Sequence, residues 1–82
     1  MILKIITPTQ QSEHTVEAVF LPGAAGAFEV LKGHAPIISS LAAGDLRWRD
    51  ASGEHVQPLR SGMVMVENDV IKVCAEGSDV GR

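Results

Sequence analysis

No stretch of this chain sustains the i, i+3, i+4 apolar spacing that an amphipathic helix needs. Its apolar residues fall instead into short runs, each closed by glycine, proline, asparagine or aspartate. That rhythm marks an all-β sandwich or barrel. The runs predict strands at 2–6 (ILKII), 15–21 (TVEAVFL), 26–31 (GAFEVL), 37–41 (IISSL), 44–49 (GDLRWR), 55–59 (HVQPL), 62–67 (GMVMVE) and 70–75 (VIKVCA). "DLRWRD" alternates most clearly. Leu46 and Trp48 fall on one face and Arg47 and Arg49 on the other, because successive strand side chains point to opposite sides. "RDASGEH" and "VENDVI" supply the Asp, Asn and Gly that tight hairpin turns require. A brief helix at "SSLAAG" is the weaker reading of that segment, since Gly44 would end it and "IISSL" suits a strand. With no linker, repeat or low-complexity segment, residues 1–82 read as a single domain.

The stretch "LPGAAGAFEVLKGHAP", residues 21–36, is unusual for a surface segment. It holds three glycines and two prolines, and only Glu29, Lys32 and His34 can carry charge. Loops face water and are ordinarily polar. Pro22 and Pro36 fix φ and bias Leu21 and Ala35 toward extended backbone, while Gly23 and Gly26 open angles closed to other residues. A rigid loop presenting Ala24, Ala25 and Ala27 lets another backbone approach closely. Spacing alone leaves open whether Phe28 plugs the core; both readings hold if Phe28 turns in and the alanines face out. "SGMVMVEND" poses a similar question. Met63 and Met65 share one face and Val64 and Val66 the other, so either both faces are buried or one is an interaction surface.

Size makes such surfaces informative. A folded chain of this mass exposes roughly 4,700 Å², and a standard interface takes about 800 Å² from each partner. The net charge of −3 and the scattered Lys and Arg residues exclude a nucleic-acid-binding face. The single cysteine, Cys74, excludes an internal disulfide framework, and its place in an apolar strand predicts a buried, inert thiol. "MILKIITPTQQ" is too short for a signal sequence or a membrane span, so no direct membrane insertion is expected. His14, His34 and His55 have no partner at metal-ligand spacing, and "LPGAAG" lacks the Lys-Ser/Thr of a phosphate loop. There is no serine elbow and no close carboxylate pair. The expectation is therefore a non-enzyme with no catalytic residue, metal or cofactor.

Taken as an ordered set, "LKIITPTQQ", "LPGAAGAFEVLKGHAPIISSLAAG" and "SGMVMVENDVIKVCAE" resemble the N-terminal β-sandwich domain of the F-type ATP synthase epsilon subunit of bacteria, called delta in mitochondria. The matching positions are Leu21-Pro22-Gly23, Gly26, Phe28, Val30-Leu31, Gly33-His34-Ala35-Pro36, Gly44, Gly62, Val64, Val66, Val73, Ala75 and Glu76. The resemblance implies a sandwich of two roughly five-stranded sheets. It also implies a non-catalytic rotor subunit of the central stalk, which couples the gamma shaft to the membrane c-ring during proton-driven ATP synthesis. Such a subunit is peripheral, on the cytoplasmic side of the inner (plasma) membrane.

Position by position, the resemblance puts Ala27, Phe28 and Glu29 against the polar loops of the c-ring. Relatives often carry an acid where Ala27 stands, so Glu29 is the residue left to supply a charge there. Thr7, His34 and Ser39 match positions lying against gamma. Relatives often carry Glu where Met65 stands, so Met63 and Met65 are expected outward, covered by gamma. Many relatives continue into a C-terminal helical hairpin that regulates ATP hydrolysis. This sequence stops at "EGSDVGR", so the hairpin is expected to be absent and the chain a natural short form. The alternative from another class is a biotinyl- or lipoyl-like carrier module, also a small β-sandwich, with Lys32 in "VLKGH" as the turn lysine.

Overall fold

The computed structural model describes residues 1–76; the polar tail over 77–82, read above as the end of a finished domain, lies outside them. Nine strands follow one another: β1 (Ile2–Ile6), β2 (Gln11–Thr15), β3 (Ala18–Leu21), β4 (Phe28–Leu31), β5 (Ile37–Leu41), β6 (Gly44–Asp50), β7 (Gly53–Leu59), β8 (Gly62–Glu67) and β9 (Val70–Ala75). No helix interrupts them among the described residues: the first half of "SSLAAG" belongs to β5 and its Gly44 opens β6. A five-stranded sheet in the order β2-β1-β9-β8-β5 packs on a four-stranded sheet in the order β4-β3-β6-β7. Every pairing is antiparallel except β1 with β9.

The expected sandwich of two roughly five-stranded sheets is present, as sheets of five and four strands, and three segments differ from the sequence reading. The strand expected at 26–31 begins only at Phe28. Residues 24–27 are spent on a loop whose amides turn back on the structure: Ala24 N–H donates to Ser40 O (2.9 Å) and Gly26 N–H to Gly23 O (3.0 Å). The expected strand 15–21 is two strands. Val16 N–H donates to Met1 O (2.8 Å) in the first sheet, while Glu17 N–H donates to Arg49 O (2.8 Å) in the second. The chain changes sheets between those two residues. Finally, β2 was not foreseen, because "QSEHT" carries no aliphatic side chain to announce a strand.

The core lies between the sheets. Leu3, Ile5, Val64, Val66, Ile71 and Val73 come from the five-stranded sheet, and Val19, Leu21, Val30, Leu46, Trp48 and Leu59 from the four-stranded one. Alternation in "DLRWRD" places Leu46 and Trp48 inside and Arg47 and Arg49 out, as the pattern requires. Trp48 packs beside the rings of His14 from β2 (4.8 Å between centroids) and His55 from β7 (5.4 Å). Its buried Nε1–H finds no hydrogen-bond partner among the described residues. Pro58 sits in β7, at the edge of its sheet, where a missing N–H costs no ladder bond.

Candidate functional site

The register of the five-stranded sheet sets out its outer face row by row. Glu13, Lys4, Lys72, Met65 and Ile38 lie side by side across β2, β1, β9, β8 and β5. The next row runs Gln11, Ile6, Cys74, Met63 and Ser40. Within β8 the alternation is sharp: Val64 and Val66 are each 1% exposed, whereas Met63 is 47% and Met65 44% exposed. Beside them Ile38 is 69% exposed. The outward orientation expected of Met63 and Met65 is therefore observed. Ser40 Oγ–H, on the neighbouring strand, donates to Met63 Sδ (3.6 Å).

Cys74 is the correction on this face. It is exposed rather than buried, because it shares the face of Lys72 while Ile71 and Val73 point into the core.

The other expected contact residues frame the same sheet. Thr7 closes the turn after β1. Its N–H and its Oγ1–H both donate to Gln10 O (2.9 and 3.1 Å), and its Oγ1 accepts from Gln10 N–H (3.1 Å). His34 lies beyond the opposite end, next to the β8–β9 turn, where the neighbouring Gly33 N–H donates to Asp69 Oδ1 (2.7 Å). Its Nδ1 stands 2.7 Å from Ala35 O. A carbonyl only accepts, so the ring proton sits on Nδ1. Ser39 pairs with Val64 in the edge strand β5 and is half-buried, on the side away from the methionines. Thr7, His34, Met63 and Met65 thus bracket one continuous face; Ser39 lies at its margin. Ile38 and Cys74 belong to that face as well, and the alternation in "IISS" and "VIKVCA" was the signal for both.

The second surface is the loop between β3 and β4. Residues 21–36 are not one loop: β4 divides them and carries the chain from one end of the sandwich to the other, so 22–27 and 32–36 sit far apart. The first part is stiff. Ala42 N–H donates to Pro22 O (2.8 Å), and Gly23 forms an isolated bridge with Leu41. A side chain at Gly23 would meet Gly26 O at 2.5 Å and the Phe28 ring at 2.9 Å, and Gly26 holds φ at 141°, a region reserved for glycine. Both readings of the tip hold: Phe28 packs against the core, while Ala24, Ala25 and Ala27 are exposed. Glu29 is exposed on the outer side of β4. Lys32, the candidate carrier lysine, lies exposed in the turn after β4.

No group of three or more His, Cys, Asp or Glu side chains among the described residues is arranged to hold a metal ion. The perturbed titration is that of Asp50, whose pKa falls from 3.8 to about 2, chiefly through the Ser52 hydroxyl, with help from the Ser52 N–H and from His55. That cluster stabilises the β6–β7 hairpin and faces neither surface.

Residues 1–78 match the family described as the beta-sandwich domain of the ATP synthase Delta/Epsilon chain. The ATP synthase epsilon chain of Prochloron didemni is 35% identical over 82 residues, covering 99% of this chain and 60% of that protein. That of Campylobacter lari is 42% identical over 79 residues, covering 93% and 60%. This chain therefore spans about 60% of the length of these curated relatives. Among solved structures, a chain of the Euglena gracilis mitochondrial ATP synthase (OSCP/F1/c-ring) superposes with a TM-score of 0.84 at 20% identity, covering 92% of this chain and 49% of that one. One from the Tetrahymena thermophila central stalk/c-ring assembly gives 0.74 at 13% identity, covering 94% and 63%. At these identities the structural likenesses speak for the fold. The match over nearly the whole chain leaves the carrier-module reading of Lys32 without support.

Proposed function

The chain belongs to the family of ATP synthase delta/epsilon β-sandwich domains, and from that membership we propose that it is a non-catalytic rotor subunit of an F-type ATP synthase. It docks on the gamma shaft through the outer face of its five-stranded sheet and rests on the polar loops of the c-ring through the loop end of the sandwich. It works peripherally, on the cytoplasmic side of the membrane that carries the ring. No described helix is long and apolar enough to cross a membrane. The work is mechanical: a stiff wedge transmits torque by staying rigid, and no bond is made or broken.

The observation that carries this reading is the outer cluster of Ile38 on β5 with Met65 and Met63 on β8, exposed where Val64 and Val66 of β8 are buried. A sandwich whose other side is already packed gains nothing for its own stability from apolar groups facing out. Soft methionine thioethers flanked by an isoleucine suit a partner surface. Thr7 and His34 at the two ends of the face give polar margins to an apolar centre, the usual anatomy of an interface.

The test is binding of purified gamma subunit to the full chain. Ile38→Asp and Met65→Asp should each weaken binding at least tenfold, since truncating or charging a central interface residue costs about 2 kcal/mol or more. Both variants should melt at the temperature of the parent. Undiminished gamma binding by both would overturn the docking face.

A further inference from the structure

Beside its apolar centre, the outer face of the five-stranded sheet carries charge. In the row Glu13, Lys4, Lys72, Met65, Ile38, the two lysines are neighbours in the parallel register of β1 and β9. Adjacent strands lie only about 4.8 Å apart, and like charges set side by side on a sheet cost stability. Lys4 and Lys72 are the only basic side chains on this face among the described residues. Glu13 stands across from Lys4, and Glu67 ends β8, yet neither lysine forms an ion pair among the described residues. An open hollow of about 230 Å³ lies here, lined by Lys4, Lys72, Met65, Glu67 and Val70. It holds two ammonium groups against one carboxylate, directly beside the exposed Met65.

We propose that this hollow receives an acidic side chain, aspartate or glutamate, of the gamma shaft, so that Lys4 and Lys72 decide which gamma surface this chain accepts. The proposal rests on the gamma-docking reading above and adds a charged register to an apolar contact. A gamma surface with a basic side chain here would meet two like charges. A purely apolar one would strip water from two ammonium groups without pairing them. A carboxylate pairs with both lysines and relieves the repulsion between them, which the chain alone leaves standing. The flexible lysine stems let both charged heads reach one acceptor. Ile38, Met63 and Met65 then carry the affinity, while the lysine pair sets register, selectivity and the speed of encounter.

The experiment measures binding of purified gamma subunit to the full chain across a salt series. Lys4→Gln with Lys72→Gln should weaken gamma binding about tenfold at low ionic strength, and the gap should narrow as salt screens the pairing. The double variant alone should melt no lower than the parent, because it removes a like-charge pair. Glu67→Gln removes the acid that competes for the hollow. It should tighten binding a few-fold, a gain that no loss of folding could imitate. Arg47→Gln, on the opposite outer face, serves as the control. Carbodiimide coupling of the complex should join Lys4 or Lys72 to an aspartate or glutamate of gamma, read by mass spectrometry. Gamma binding indifferent to the lysine and Glu67 substitutions, yet broken by Ile38→Asp and Met65→Asp, would overturn the charged register and leave the docking face standing. Binding indifferent to those two as well, or absent from the parent chain, would overturn both.

Discussion

The two outer faces of the sandwich are built on the same alternation and dressed in opposite ways. Outside the four-stranded sheet, the rows run Leu31, Ala18, Arg49, Glu54 and then Glu29, Phe20, Arg47, Val56. Charges there are interleaved with apolar groups and partly satisfied within the face: Arg49 Nε pairs with Glu17 (3.5 Å), and Arg47 lies over Phe20. Outside the five-stranded sheet, Ile38, Met63, Met65, Ile6 and Cys74 gather toward β5, β8 and β9, with Lys4, Lys72, Glu13, Gln11 and Ser40 around them. On the first face Arg47 and Arg49 are answered within the sheet, and the exposed Leu31 and Val56 stand apart on its two edge strands. On the other, the exposed Ile38, Met65 and Met63 stand together on adjacent strands. The contrast teaches that alternation decides only which side chains point out; what those side chains are decides whether water or a partner covers them.

The sharpest way to break this comparison is to ask whether the outer methionines belong to the chain's own stability. Leu46→Ala should cost about 2–5 kcal/mol, because Leu46 is fully buried and its removal leaves a cavity. Met65→Thr and Arg47→Ala, one on each outer face, should each lie within about 0.5 kcal/mol of the parent. Urea titration of the isolated chain measures all three. A Met65→Thr loss comparable to that of Leu46→Ala would assign the methionine face to the fold rather than to a partner.

The loop end sharpens the comparison differently, because there the demands of fold and contact meet in the same residues. Gly26→Ala has open space for its methyl group but must hold φ at 141°. It should cost about 1–3 kcal/mol of folding stability. Thermal melting of the isolated chain reads this directly. A melting temperature equal to that of the parent would mean that the loop relaxes freely and is not the rigid tip its geometry implies.

How much of this could be read in the sequence depends on whether the signal was local. The faces of β6 and β8 were legible because "DLRWRD" and "GMVMVE" alternate within a few residues. Cys74 was equally legible and was misjudged: Ile71 and Val73 fix the inner face of β9, and Cys74 stands one step off it. β2 was hidden because the side chains it turns toward the core are the polar Ser12 and His14, and the His14 ring packs on Trp48 from the opposite sheet. The crossing between Val16 and Glu17 is made by hydrogen bonds to Met1 and Arg49, one at the start of the chain and one far along it.

The smallest effect concerns the β6–β7 hairpin, the part of the four-stranded sheet whose charges are most fully satisfied. Asp50 Oδ1 accepts from Ser52 Oγ–H (2.7 Å), from Ser52 N–H (2.8 Å) and from His55 Nε2–H (3.1 Å). These bonds favour the ionised carboxylate and hold its pKa at about 2, below the ordinary 3.8. A carboxylate whose pKa is lower folded than unfolded stabilises the fold fully above the unfolded value. That contribution fades as pH falls from about 3.8 toward about 2. Asp50→Asn removes the charge and with it this dependence. The melting-temperature gap between parent and variant should therefore be constant above about pH 5 and close between pH 4 and pH 2. A gap that stays open at pH 2 would show that the hairpin depends on the geometry of the turn alone.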